Sequence, residues 1–149
     1  MRPIHLLALT SCAALSACIF GGHDRDSDAP RSSLVGRWQI VAITRGGQDI
    51  NLDQLEGAVR ELRESTYSIH HADGQAITGR YVINDAVEPK TIDEFVDNGR
   101  FASQTLKGIY RIHDQKLTIS FAGPGQARPT SFTSEAGTSY TVAIHERVR

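Results

Sequence analysis

Apolar and polar residues alternate along most of the chain after residue 33, in short runs that end at turn-forming residues. In residues 116–122, for example, Leu117, Ile119 and Phe121 alternate with polar positions. A period of two predicts β-strands that bury one face. The pattern predicts eight strands, at residues 34–45, 62–71, 75–84, 89–96, 103–113, 116–122, 130–133 and 139–148.

Residues typical of tight turns separate the predicted strands. They are Gly46-Gly47, Asp73-Gly74, Asn98-Gly99, Asp114-Gln115 and Gly123-Pro124-Gly125. Short strands joined by tight turns favour an antiparallel meander, and eight of them can close into a barrel that has no free sheet edge. The expected fold is therefore all-β, an eight-stranded up-and-down barrel.

One segment departs from the alternating pattern. Leu52, Leu55, Val59 and Leu62 recur at helical spacing, which predicts a short helix or turn at about residues 53–60, between the first two strands. In a barrel this connection would lie at one mouth. It could serve there as a lid, or as a plug that completes the core.

The first residues have the pattern of an export signal. Arg2 precedes an apolar stretch, residues 6–15, that is too short for a transmembrane helix. Leu15-Ser16-Ala17-Cys18 resembles the bacterial lipobox, which implies that residues 1–17 are a lipoprotein signal peptide and that Cys18 carries lipid. Ile19 stands where an Asp would resemble an inner-membrane retention signal. We therefore expect a lipoprotein of the outer membrane, facing the periplasm.

The composition changes again at the start of the strand pattern. Residues 18–33, the lipidated Cys and the polar stretch after it, lack an apolar period, so we expect a flexible linker there and a single domain at 34–149. The formal net charge of the chain is −1. A nucleic-acid-binding protein normally has a basic surplus, so nucleic acid is not an expected partner.

The first strand contains Gly36-Arg37-Trp38, which resembles the Gly-x-Trp signature of lipocalins. The resemblance implies that Trp38 packs at the closed end of a barrel and that an Arg late in the sequence lies across its ring. Arg147 is the candidate for that partner.

A longer resemblance covers nearly all of residues 34–148. Its motifs, in order, are Leu34-Val35-Gly36-Arg37-Trp38, Leu106-Lys107-Gly108-Ile109-Tyr110, Leu117-Thr118-Ile119-Ser120-Phe121 and the stretch 125–132. Together they resemble an uncharacterised lipocalin-like domain family common in planctomycete bacteria. The chain departs from that family at Ser120, where Cys is frequent, and in the charged stretch 60–64. The family has no established activity, so the resemblance implies a fold and not a function.

No sequence motif for catalysis is present: there is no metalloprotease helix motif, phosphate-binding loop or nucleophile elbow. His70 and His71 would point to opposite faces of a strand, as would Asp93 and Glu94, so neither pair can share a ligand. His145 is expected to face outward. We predict no enzyme activity, no catalytic residue, no metal site and no cofactor.

Two hypotheses for the function remain. In the first, the barrel holds a small apolar or amphipathic ligand in the cell envelope, with Tyr67, Tyr81, Tyr110 and Phe121 as candidate lining residues. An apolar cavity of at least about 300 Å³ would favour it. In the second, the interior is filled and the domain is a structural module or docks to another envelope protein. Arg128 either binds an anion or ties its loop to backbone carbonyls.

Overall fold

The computed structural model describes residues 34–51, 53 and 57–149. The predicted signal peptide, the predicted lipidation site Cys18 and the predicted linker lie outside these residues, as do residues 54–56 of the predicted helix or turn at about 53–60. No helix among the described residues is long and apolar enough to cross a membrane.

In the described part of the chain, nine strands form one antiparallel sheet, and eight of them close it into a barrel. The strands are β1 (Gly36–Arg45), β2 (Gln48–Asp49), β3 (Val59–Leu62), β4 (Thr66–His70), β5 (Ala76–Asn84), β6 (Lys90–Val96), β7 (Thr105–His113), β8 (Lys116–Phe121) and β9 (Thr141–Arg147). Strand β2 only extends β1 as a short hairpin, whereas β3 to β9 follow one another in order. Strand β9 then pairs with β1. The prediction of an all-β, eight-stranded, lipocalin-like up-and-down barrel is confirmed.

Two of the eight predicted strands were placed wrongly. The predicted strand 62–71 is two strands, β3 and β4, because residues 63–65 form a polar turn closed by a hydrogen bond from Arg63 N to the Thr66 carbonyl. From Gly57 onward the predicted helical segment is a turn followed by β3. Residues 130–133 are not a strand. They belong to the connection 122–140, which passes over the outside of the barrel.

This connection explains why part of the outer face is buried. Strand register places Ile109, Ser120 and Val142 on the outside, yet only 1%, 0% and 8% of their respective surfaces is exposed. Two contacts hold the connection against this face: Arg128 reaches Asp93 of β6, and the Arg111 guanidinium of β7 lies 4.5 Å from the ring centroid of Phe132. The barrel therefore has a second, smaller packed layer outside β6 to β9.

The residues of β9 that face the barrel interior are not the ones predicted to do so. His145, which we expected to face outward, pairs with the inward Ile40 and has no exposed surface. The expectation that His145 faces outward is wrong. The apolar side chains of this strand face outward because the connection 122–140 covers them.

A bulge shifts the phase of β1 as well. The register with β9 slips between Ile40 and Ala42, so Trp38 and Ile40 point inward before the bulge, whereas the inward position after it is Ile43. Large apolar side chains fill the barrel around the start of β1. Among them are Trp38, Leu62, Tyr81, Ile83, Ile92, Tyr110, Leu117 and Ile119. This is the closed end.

Candidate functional site: a cavity at the open end of the barrel

The opposite end of the barrel contains a cavity of about 550 Å³. It lies where β1, β4, β6 and β8 end and where β3, β5, β7 and β9 begin. Its inner wall is mainly apolar, and its rim is formed by the connections around residues 98–101, 122–124 and 138–139. Inward side chains of the wall include Tyr67, Ile69, Ile77, Val96, Leu106 and Phe121.

Two inward-facing glycines make room for the aromatic rings of this wall. A Cβ atom on Gly79 would lie 2.7 Å from Cε1 of Tyr67, and one on Gly108 would lie 2.6 Å from Cδ1 of Phe121. The rings therefore rest against bare backbone of neighbouring strands, and any side chain at either glycine would force them to move. This close approach keeps both rings along the wall.

An ion pair forms the inner boundary of the cavity. Arg60 of β3 donates a hydrogen bond from Nη1 to Oε1 of Glu94 of β6. Both side chains are buried, and both contact the cavity. The Arg60 guanidinium also lies 5.4 Å from the ring centroid of Tyr67 and 6.0 Å from that of Phe121, and aromatic faces attract such a cation. The charged pair is therefore held within an aromatic wall.

Burial governs the titration of this cluster. It raises the pKa of Glu94 above its ordinary value, and the adjacent Arg60 partly opposes that rise. It also raises the pKa of Tyr67, an effect to which the Glu94 carboxylate adds. The Tyr67 hydroxyl therefore stays neutral at physiological pH and cannot act as a base.

His145 is a second buried polar group in the interior. Its Nδ1 lies 3.0 Å from the Leu117 carbonyl oxygen, so Nδ1 carries the proton and donates it. Its Nε2 has no hydrogen-bond partner among the described residues, and neither has Nε of Arg60. Burial, helped by the positive charge of Arg60, lowers the pKa of His145 to about 3. The imidazole is neutral and offers an unused acceptor.

Among the described residues, the charged side chains at the mouth of the cavity are basic. Arg45 at the end of β1 and Arg100 after β6 line it, and both are exposed. The Arg45 side chain donates from Nε to Oγ1 of Thr141, 3.1 Å away. Asn98 fixes the neighbouring connection by bonding Thr78 N and the Ala76 carbonyl, each at 2.8 Å. The rim is thus tied to the barrel wall on two sides.

Two of the four candidate lining residues line the cavity, and two do not. Tyr67 and Phe121 contact it, whereas Tyr81 and Tyr110 lie in the core of the closed half, only 3% and 5% exposed. The Tyr81 hydroxyl donates a hydrogen bond to the Arg63 carbonyl. The prediction was wrong for Tyr81 and Tyr110. The alternation along a strand shows which side chains point into the barrel, but it does not show how far along the barrel axis each one lies.

Arg147 lies over Trp38 at the closed end, where the resemblance to lipocalins implies such an Arg. The guanidinium carbon is 4.1 Å from the centroid of the ring, and Nη1 donates to the Val35 carbonyl at 3.2 Å. Trp38 donates from Nε1 to the Leu34 carbonyl at 2.9 Å. Gly36 has a φ of +143°, and a Cβ atom there would lie 2.6 Å from Nη1 of Arg147. These residues close the barrel and do not contact the cavity.

Arg128 ties its loop and does not present a free anion site. Its guanidinium makes two hydrogen bonds to the Asp93 carboxylate, of 2.6 and 3.1 Å. A further bond of 2.7 Å reaches the Gly108 carbonyl. Of the two interpretations given to Arg128, anion binding is wrong, because a carboxylate of this chain already occupies the guanidinium fork.

The sequence interpretation overlooked Arg60, Glu94 and the site of His145. The sequence does contain a signal for Glu94. Ile92, Glu94 and Val96 alternate along the strand and so face the same side of it, and both Ile92 and Val96 are apolar. Arg60 lies in the charged stretch 60–64, whose sequence indicates only a departure from a family pattern and no interior position for Arg60. Asp93 and Glu94 do face opposite sides of β6, and each binds a different Arg.

Among the described residues, no three His, Cys, Asp or Glu side chains are arranged to hold a metal ion. His70 is exposed and bonds Ser68 at 2.8 Å, and His113 is exposed beside Asp114 in the hairpin between β7 and β8. Among the described residues, the cavity is therefore the feature most suited to binding a ligand. No model of a protein family, no curated protein and no solved structure matches this chain.

Proposed function

We propose that this protein is a membrane-anchored binding protein of the cell envelope, whose barrel takes one small amphipathic ligand. The observation that carries the proposal is the cavity of about 550 Å³ at one end of an otherwise filled barrel. Ligand pockets typically have volumes of roughly 300–1,000 Å³, with mainly apolar walls and a few placed polar groups. Here the apolar wall ends at the buried pair Arg60 and Glu94.

The anchor part of the proposal rests on the sequence alone. Leu15-Ser16-Ala17-Cys18 stands at the end of an apolar segment, as a lipobox does. Several acyl chains on Cys18 would hold the protein to a membrane, because each buried methylene contributes about 0.8 kcal/mol. Replacing Cys18 with Ser should release the protein from the membrane fraction of its host. Unchanged membrane association of Cys18→Ser would contradict the anchor.

Ligand binding is tested with the full chain carrying Cys18→Ser, so that no acyl chain competes. The neutral fluorescent probe N-phenylnaphthylamine should bind, and its emission should rise as it enters the apolar cavity. Ile77→Trp should abolish the signal, since this partly buried side chain lines the cavity.

Val82→Trp is the matched control, because Val82 lies on the same strand but faces outward and is 60% exposed. It should leave probe binding unchanged. If the unsubstituted barrel binds no probe, or if both Trp variants behave alike, the cavity is not a ligand site. A structural or protein-interaction module of the cell envelope would then be the better description.

A further inference from the structure

The two ends of the cavity differ in charge. Arg45 and Arg100 stand at the mouth, and neither has an acidic partner among the described residues. At the inner end, the positive charge of Arg60 is matched by Glu94. Among the residues that the structure describes, three guanidinium groups and one carboxylate thus line the cavity, although the chain as a whole has a net charge of −1.

We propose that the ligand is an anionic amphiphile with a single tail, bound with its acidic head group at the mouth between Arg45 and Arg100. This inference rests on the proposed binding function and adds the ligand's charge and its orientation. The tail lies along Ile69, Ile77 and Leu106, where the wall is apolar, and it ends at the buried ion pair.

The opposite orientation is disfavoured by the inner end itself. A head group there would meet the carboxylate of Glu94, whose charged form burial already disfavours. Arg60 is engaged by Glu94 and lies against two aromatic rings, so it has little capacity to neutralise a second anion. At the mouth, the two exposed guanidinium groups can each present paired donors to a carboxylate or a phosphate.

The test compares ligands that share one tail and differ in the head group. Dodecanoate, dodecyl phosphate, dodecanol and dodecyltrimethylammonium are each used to displace N-phenylnaphthylamine from the full chain with Cys18→Ser. Both anions should bind about three- to tenfold more tightly than dodecanol, and dodecyltrimethylammonium should bind most weakly. The preference for anions should shrink as the salt concentration rises, because exposed charges are screened.

The ratio of dodecanoate to dodecyl phosphate tells a fatty-acid-like head group from a phospholipid-like one. Inorganic phosphate alone should displace no probe, since the tail supplies the contact with the wall. Displacement by inorganic phosphate would overturn the proposal, because it would show an anion site that needs no tail.

Substitutions then locate the head group. Arg45→Gln and Arg100→Gln should each weaken dodecanoate binding about two- to fivefold and leave dodecanol binding unchanged. Arg37→Gln removes the same charge from an exposed outer position near the closed end, and it should change neither affinity.

Two failures are distinguishable. If dodecanoate and dodecanol bind equally, or if Arg37→Gln acts as strongly as the mouth variants, the anionic class and its orientation are wrong while the binding function stands. If the probe itself does not bind, the binding function fails.

Discussion

Arg60 and Glu94 join their side chains across the interior of the barrel, although β4 and β5 separate their strands in the sheet. The pair thus spans the space above the apolar core of the closed half. It lies in the layer where the filled part of the interior meets the cavity.

Removing one partner of this pair should strongly destabilise the fold. In Glu94→Gln, Arg60 keeps its charge in a buried site, and we expect the free energy of unfolding to fall by about 3–5 kcal/mol. The double variant Arg60→Met with Glu94→Leu should recover much of that loss, because no uncompensated charge remains. Urea unfolding measures both. Asp93→Asn, on the outer face of the same strand, should cost about 1 kcal/mol. A Glu94→Gln loss no larger than that would contradict a structural role for the ion pair.

The buried imidazole of His145 makes stability depend on pH in a defined direction. Its pKa is about 3 in the folded protein against 6.5 ordinarily, so between these values the unfolded chain binds more protons. The free energy of unfolding should therefore rise as pH increases from about 3 to about 6.5 and should gain nothing more from His145 above that. The shift corresponds to about 3–6 kcal/mol over this window.

Comparison of His145→Gln with the unsubstituted protein isolates this effect, because Glu94 titrates in both. The raised pKa of Glu94 acts with the opposite sign, so the stability that Glu94 contributes is lost as pH increases above 4.5. Urea unfolding at several pH values should give a flatter profile for His145→Gln. His113→Gln, at an exposed position, should keep the original slope. Equal slopes in all three proteins would show that His145 is not held neutral by burial.

At the closed end, Gly36 and Arg147 should prove energetically coupled. Arg147→Met removes the contact over Trp38, and a loss of about 1–2 kcal/mol is expected. Gly36→Ala adds a Cβ atom 2.6 Å from Nη1 of Arg147 at a φ of +143°. In the double variant the steric part disappears, so the combined loss should be smaller than the sum of the two.

Gly74→Ala is a control for backbone conformation alone, since its φ is +83° and no atom lies within 4 Å of the added Cβ position. It should show no coupling with Arg147→Met. Strict additivity of Gly36→Ala and Arg147→Met in urea unfolding would argue that the two residues do not press on each other.

The connection 122–140 should become more mobile when the contacts that Arg128 makes with the barrel are removed. Arg128→Gln loses the paired bonds to Asp93 and the bond to the Gly108 carbonyl. Since both side chains are about one-third exposed, global stability should fall by only about 1 kcal/mol. Amide hydrogen exchange within 122–140 should nevertheless accelerate clearly. Lys116→Gln, which breaks the exposed pair with Glu146, should leave that exchange unchanged. If the amides of 122–140 are as protected in Arg128→Gln as in the unsubstituted protein, the contacts of Arg128 do not hold this connection in place.

The barrel itself was predictable because alternation is a local signal. Leu117, Ile119 and Phe121, or Ile77, Tyr81 and Ile83, reveal their inward face within one strand. Turn pairs such as Asp114-Gln115 mark the ends, and both residues adopt the left-handed conformation there, with φ of 48° and 62°.

The site was less predictable because it depends on relations between distant strands. Glu94 was assigned no interior role, since a carboxylate inside a barrel requires a partner that lies 34 residues away. The outer cover over Val142 lets the apolar side chains of β9 face outward, and it thereby reversed the expectation for His145. Tyr67 and Tyr81 share inward parity, and only the packed structure shows that one reaches the cavity and the other does not.

The direction in which β1 runs gives the domain a polarity. Leu34 and Trp38 lie at the filled end of the barrel, whereas Arg45 lies at the end that contains the cavity. Under the proposed anchoring at Cys18, the chain that joins the anchor to residue 34 would therefore attach at the end of the barrel remote from the cavity mouth. In an anchored protein, a guest molecule would then be received and released on the side facing away from the point of attachment.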